Sequence, residues 1–180
     1  VKGISGSGKS TLLKILSGNL RNWDGIVSVN GNSNQWSAQW LKENSSYMNQ
    51  FPFIFDGTLR YNVFLDKEYE NKSHTPAFLN KLLEKKENGW ETMLSHNGKQ
   101  LSGGEKQLVT LARMMLYPKP VAIIDEPTAN LDSETVGTII EQIEQLAQHK
   151  LIIVASHEER FEAIATKTLH LNWGEQVEYA

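Results

Sequence analysis

Two unbroken apolar runs, Val121-Ala122-Ile123-Ile124 and Leu151-Ile152-Ile153-Val154-Ala155, stand out along the chain as strands buried on both faces of a parallel sheet. Between them Val136, Ile139, Ile140, Ile143, Leu146 and Ala147 recur at helical spacing and predict an amphipathic helix over 134–149. Nearer the start, Leu12, Leu13, Ile15 and Leu16 predict a helix over 9–17 with Gly18 as its stop. Residues 26–29 read as a strand ending at Asn30-Gly31, residues 36–42 as a short helix, and residues 46–49 as a strand that delivers Gln50. Helical patterns dominate 58–117. One is begun by Leu59, Val63 and Phe64, and a polar loop follows over 66–73. A second, opened by Pro76, carries Phe78, Leu79, Leu82 and Leu83 and ends near Asn88-Gly89. A third covers 103–117, stopped by Pro118 and Pro120. After a last helix over 158–165, short strands at 168–171 and 176–179 flank a Trp173-Gly174 turn. The order describes a parallel α/β core interrupted by a helical insertion.

Composition adds boundaries rather than direction. At 180 residues, 39% hydrophobic and 22% charged, the chain is long enough for one domain with a real core. A net charge of -3 supplies no electrostatic reason to expect nucleic acid as a partner. The absence of cysteine excludes disulfides and thiolate metal sites. No apolar run is long enough to span a bilayer.

The chemistry begins at Gly3-Ile4-Ser5-Gly6-Ser7-Gly8-Lys9-Ser10-Thr11, a phosphate-binding loop pattern in which Gly3 and Gly8 frame four residues ahead of Lys-Ser. Its glycines let successive N–H groups turn inward around phosphate oxygens at the positive end of the following helix. Lys9 supplies a cation for the outer phosphates and Ser10 a hydroxyl for Mg²⁺. The pattern normally follows a buried strand, yet only Val1 and Lys2 precede it, so the chain reads as an N-terminally truncated piece of a longer polypeptide. Further on, Asp125 and Glu126 end an apolar strand, where ligands of open α/β sheets bind. Asp125 is placed for Mg²⁺ and Glu126 to polarise an attacking water. A third element is Leu101-Ser102-Gly103-Gly104-Glu105-Lys106-Gln107. Ser102 and Glu105 make a capping box for the next helix, which leaves two consecutive glycines unexplained. Their bare N–H groups suit a second phosphate contact, and the excess suggests a second nucleotide. The charge cluster over 81–87 reads as a solvated helix face. Phe51-Pro52-Phe53-Ile54-Phe55 reads either as local packing or as a contact surface for a partner.

Taken together, these motifs resemble, in order and across nearly the whole chain, the nucleotide-binding domain of an ATP-binding cassette (ABC) transporter. The first loop is similar to Walker A, Gln50 to the Q-loop, 101–107 to the LSGGQ signature and 123–126 to Walker B. Ala129-Asn130-Leu131-Asp132 is similar to the D-loop, and His157 to the switch histidine. The resemblance implies a P-loop NTPase (RecA-like) parallel sheet core over 1–50 and 119–180 and an inserted α-helical signature subdomain over 51–118. The family's N-terminal antiparallel strands and adenine-stacking aromatic would be missing. It implies ATP and Mg²⁺ as the bound species. ATP would be held by Gly3, Ser5, Gly6, Ser7, Gly8, Lys9, Ser10, Thr11 and Gln50, and Mg²⁺ by Ser10, Gln50 and Asp125. Glu126, His157, Lys9 and Gln50 would carry catalysis. Ser102, Gly103, Gly104 and Glu105 would contact the nucleotide of a second ABC ATPase domain in a head-to-tail dimer, and Asp132 would link the two sites. The partner implied is a transmembrane domain, and the location the cytoplasmic face of the cell membrane.

Two departures from the family pattern stand out: Glu105 replaces the usual Gln, and His96 occupies a position where exporters carry Glu. Gly57-Thr58-Leu59-Arg60-Tyr61-Asn62-Val63 is similar to an exporter pattern, so the expectation is ATP hydrolysis driving export. ABC ATPases of translation or DNA repair are the enzymatic alternative. The repair class carries long coiled coils, and no sustained heptads occur between Thr11 and Leu101. A nucleotide-gated module without catalysis is the other alternative, set against the presence of both Glu126 and His157.

Overall fold

The computed structural model describes residues 1–28, 37–65, 75–117 and 119–172. It divides into two compact units.

The first unit comprises 1–50, 119–127 and 143–180. Helix α1 (Lys9–Leu16) and helix α2 (Ala38–Asn44) lead into strand β1 (Ser45–Met48). Ser37 caps α2 by accepting from the Trp40 amide at 3.1 Å. In the unit-one sheet β1 pairs in parallel with β4 (Val121–Asp125), and β4 with β5 (Leu151–Ala155). Register sets Met48 opposite Ile124 and Asp125 opposite Ala155, so these strands end along one edge. Val1 extends the arrangement: it donates to the Val154 carbonyl at 2.6 Å and accepts from the Ser156 amide at 3.4 Å, the pattern of a parallel neighbour. Lys2 bridges in parallel to His170. Leu13, Ile123 and Ala155 form the centre of this unit's core, with Leu16, Tyr47 and Ile153 packed around them. Helix α7 (Arg160–Ile164) follows β5 and buries Phe161.

The second unit comprises 51–118 and 128–142. Strand β2 (Gly57–Thr58) runs into helix α3 (Leu59–Phe64), which Thr58 caps. A 3₁₀ turn over Ala77–Leu79 continues into helix α4 (Asn80–Glu84), and a second over Gly89–Glu91 leads to strand β3 (Met93–Leu94), antiparallel to β2. Helix α5 (Gly103–Leu116) carries Val109 and Ala112 into a core shared with Ile54, Leu59, Val63, Leu79, Leu82 and Leu94. Helix α6 (Ser133–Ala147) opens in this unit, and its Val136, Ile139 and Ile140 are buried.

Several local expectations change. The strand expected at 26–29 is absent over 26–28, where Ile26 is 83% exposed and no ladder partner exists among the described residues. A strand without a partner strand leaves its backbone groups to water. Residue 29 lies outside the described residues, as do the whole loop at 66–73 and the strand at 176–179. β5 is less covered than its sequence suggests, with only Ala155 fully buried. One side of it borders a groove of about 440 Å³ lined by Leu12, Leu16, Phe161 and Leu169. The helix expected from Pro76 to Gly89 is tighter and shorter, a 3₁₀ turn plus α4. No helix among the described residues is long and apolar enough to cross a membrane.

Candidate nucleotide site

The glycine-rich loop bends where its residue types allow. Gly6 and Gly8 take φ of 80° and 92°, and Gly8 stands at the start of α1, where no side chain caps the first turn. Gly3 is required by space as well: a Cβ there would lie 2.5 Å from both the Leu171 carbonyl and Ser7 Oγ. Ser5, Gly6 and Thr11 face solvent, and Ser10 is half-buried in the first turn of α1. Ser7 Oγ is buried and has no hydrogen-bond partner among the described residues.

Lys9 is only 7% exposed and folds back over the loop it follows. Its ammonium donates to the Gly3 carbonyl at 2.8 Å and the Ile4 carbonyl at 3.2 Å, and lies 3.3 Å from His157 Nε2. The same ring nitrogen is 3.5 Å from Glu126 Oε1. Nε2 can accept from the ammonium or donate to the carboxylate, but not both in one tautomer. His157 is 60% exposed and therefore open to an incoming group, whereas Glu126 is 14% exposed. Glu126 directly follows β4, its amide donating to the Ala155 carbonyl at 2.8 Å and its φ at 46°. Lys9, Glu126 and His157 thus converge from three separate chain segments.

Asp125, the last residue of β4, is 2% exposed. The Tyr47 hydroxyl donates to its Oδ2 at 3.1 Å, while Oδ1 is buried with no hydrogen-bond partner among the described residues. Burial first, and then the neighbouring Asp125 charge, raise the Tyr47 phenol well above its ordinary range and keep it a donor. Gln50 lies two residues past the end of β1, on the strand-end edge shared with Asp125 and His157. A hard cation that takes oxygen from one or two carboxylates and the rest from phosphates suits this donor set of Asp125 Oδ1, a Ser10 hydroxyl and a Gln50 amide. The residues present therefore fit Mg²⁺.

In the second unit, Ser102 caps α5 with Oγ accepting from the Glu105 amide at 3.2 Å, and Glu105 Oε2 accepts from the Ser102 amide at 2.8 Å. This is the expected capping box. Ser102 and Gly103 are exposed, but Gly104 is buried. A Cβ on Gly104 would lie 2.9 Å from Thr135 Cγ2, so close packing against the start of α6 explains that glycine. Nothing crowds Gly103, where a Cβ would make ordinary contact with Leu131 at 3.7 Å. Asp132 opens α6, its two oxygens accepting from the Thr135 amide at 2.9 Å and hydroxyl at 2.7 Å, which hold its carboxyl below the ordinary value.

Three positions escaped the sequence reading. Tyr47, Lys86 and Asn62 each act through partners remote in sequence, Asp125, Glu105 and Arg113 respectively. The solvated-face reading of 81–87 fails at Lys86, which is 15% exposed and pairs with Glu105 at 3.1 Å. It holds for Lys81, exposed and paired with Glu134. The aromatic stretch divides: Ile54 enters the core, while Phe51 and Phe53 are 77% and 60% exposed.

Comparison with known proteins gives this geometry a family. The family model described as ABC transporter matches residues 1–129. Over 162 residues the chain is 39% identical to the glutathione/L-cysteine transport system ATP-binding/permease protein CydC of Bacillus subtilis, covering 86% of this chain and 28% of that protein. It is 33% identical over 186 residues to a probable ABC transporter ATP-binding/permease protein of Haemophilus influenzae, covering 97% of this chain and 33% of the other. A solved bacterial Atm1-family ABC exporter with ATP bound matches at a TM-score of 0.85 and 26% identity, over 99% of this chain and 32% of that one. The chain therefore spans about a third or less of the length of these proteins. With that family model over residues 1–129 and relatives of this identity, the chain belongs to the ABC transporter family.

Proposed function

We propose that the chain is the ATP-hydrolysing domain of a membrane transporter of exporter architecture. The observation that carries this reading is the convergence of Lys9, Glu126 and His157 within 3.5 Å links beside the glycine loop. The Lys9 ammonium now donates to two loop carbonyls and lies against a histidine, and the outer phosphates of ATP compete with them for its three N–H donors. The loop amides and the uncapped first turn of α1 take the remaining phosphate charge. Glu126 orients and deprotonates the attacking water, and His157 holds the terminal phosphate through Nε2. Asp125, Ser10 and Gln50 would hold Mg²⁺, which when bound would supply positive charge against the phosphate oxygens.

In this reading 1–50 and 119–180 form the catalytic core and 51–118 the helical subdomain. Ser102, Gly103, Gly104 and Glu105 complete the site of a second such domain, paired head to tail, and Asp132 connects the two sites. A transmembrane domain, on the same polypeptide or a separate subunit, is the moving partner, and the domain works at the cytoplasmic face of the membrane. The relatives' names, each joining ATP-binding to permease, support that partner. The exposed Phe51 and Phe53 beyond Gln50 support a contact there.

Glu126→Gln in the full-length polypeptide tests the chemistry. ATP binding should persist while turnover falls by roughly a hundredfold or more, the range for loss of a general base. Light scattering should then show an ATP-dependent dimer. Turnover at the wild-type rate would move the base to another residue and overturn the assignment.

A further inference from the structure

The capping box at the start of α5 needs an acceptor at residue 105, and a Gln side chain supplies it as well as a Glu. The carboxylate of Glu105 therefore adds a negative charge that the helix start does not require. Under the reading above, that charge stands at the end of a turn meant to face the phosphates of another domain's nucleotide. Left alone, it would oppose them.

The structure does not leave it alone. Lys86 Nζ donates to Glu105 Oε2 at 3.1 Å and to the Gln100 carbonyl at 3.1 Å. Both side chains are largely shielded, at 15% and 17% exposure, which separates this pair from the exposed Lys81–Glu134 pair nearby. The same carboxylate oxygen also accepts the Ser102 amide at 2.8 Å. One ammonium thus joins the segment entering the turn, at Gln100, to the first turn of the helix leaving it, at Glu105. Lys86 comes from the short turn between α4 and Gly89, where a lysine with only 15% of its side chain exposed needs a partner.

We propose that Lys86 is a positioning residue for the second phosphate cradle. It neutralises Glu105 and clamps 100–105 in the shape that Ser102 and Gly103 present. A surface ion pair would serve stability weakly and depend little on which acid it meets. A charge-compensating clamp makes a different demand: Lys86 is needed only while residue 105 is an acid.

This inference rests on the proposed signature role of 102–105, and the experiment separates the two. In the full-length polypeptide, four variants are compared: Lys86→Ala, Glu105→Gln, the Lys86→Ala/Glu105→Gln double, and Ser102→Phe. ATP-dependent dimer closure and the KM and kcat for ATP are measured, with binding of a fluorescent ATP analogue by monomer as control. Lys86→Ala should weaken closure and raise KM about tenfold, the scale of leaving one shielded charge without its partner. Analogue binding by monomer should stay at the wild-type level. Glu105→Gln sets the level for an uncharged residue 105, and the double variant should match that level rather than that of Lys86→Ala. Recovery in the double variant distinguishes charge compensation from a general loss of folding. If the double variant remains as weak as Lys86→Ala, or Lys86→Ala closes normally, the proposal is overturned. Normal closure by Ser102→Phe would instead overturn the signature reading beneath it.

Discussion

Asn62 offers the sharpest test of how the second unit is held together. Its side chain is fully buried and uses all of its hydrogen-bonding capacity. Oδ1 accepts the Phe55 amide at 2.8 Å and Arg113 Nη2 at 2.8 Å. Nδ2 donates to the Phe55 carbonyl at 2.9 Å and the Thr58 carbonyl at 3.1 Å. Arg113 adds bonds to the Asn62 carbonyl at 2.5 Å and the Phe53 carbonyl at 2.7 Å, and its guanidinium lies 5.2 Å from the Phe55 ring centre. Burial pushes the Arg113 pKa down to about 10, so this cation depends on its ring of neutral acceptors. Asn62→Ala removes four bonds and strands the Phe55 amide, two carbonyls and part of Arg113. At about 1 kcal/mol per net bond, with extra for the unpaired groups, the loss is about 3–5 kcal/mol. Hydrogen exchange on the full-length polypeptide, read on peptides spanning 51–65, measures the local opening. Exchange should accelerate by roughly a hundredfold to several thousandfold. Unchanged protection at Phe55 would show that the loop after Gln50 is held by something other than this network.

Tyr47→Phe deletes the hydroxyl bond to Asp125 Oδ2 and leaves that buried carboxylate without a hydrogen-bond partner among the described residues. The affinity for Mn²⁺, used in place of Mg²⁺ and followed by electron paramagnetic resonance with nucleotide present, should fall about tenfold or more; unchanged affinity would deny Tyr47 a positioning role. Gly104→Ala drives a methyl to 2.9 Å from Thr135 Cγ2 and should destabilise the unit by about 1–3 kcal/mol in thermal unfolding. Adding Thr135→Ser, which removes that Cγ2, should recover most of the loss; no recovery would mean that Gly104 is needed for its backbone rather than its size.

The contrast between what the chain disclosed and what it withheld follows from the range of the interactions. β4 and α6 were readable because a run of Val and Ile, or a stripe every three to four residues, is a local statement repeated several times. The glycine loop was readable because backbone conformation there depends on the residue itself. The β2–β3 ladder was not: two residues per strand carry no period. Tyr47 was hidden for another reason. Register places it opposite Ile123, so its hydroxyl reaches Asp125 diagonally, two residues along on the same face. Lys86 looked like any lysine in a charged helix, because its acid lies beyond an intervening strand and turn. The capping box explained Ser102 and Glu105 but made the two glycines look alike, and only the position of Thr135 tells them apart.

Backbone strain, an extra ladder bond and the site's acid meet at one residue, Glu126. The β4 ladder does not stop cleanly at Asp125, since the Glu126 amide still bonds the Ala155 carbonyl at 2.8 Å. The chain must then turn within the same residue, and Glu126 does so at a φ of 46°, a conformation that costs a residue with a Cβ about 1–2 kcal/mol. Glycine would occupy that position without penalty. A glutamate there is explained by its side chain rather than its backbone, and Oε1 lies 3.5 Å from the ring nitrogen that also meets Lys9. Strain of this kind persists where surrounding structure over-determines it, and here the extra ladder bond and the buried Asp125 before it supply that constraint. The local preference of the chain is thus overridden at the position where the proposed chemistry needs a carboxylate held still, a coincidence that a structural role for Glu126 leaves without a cause.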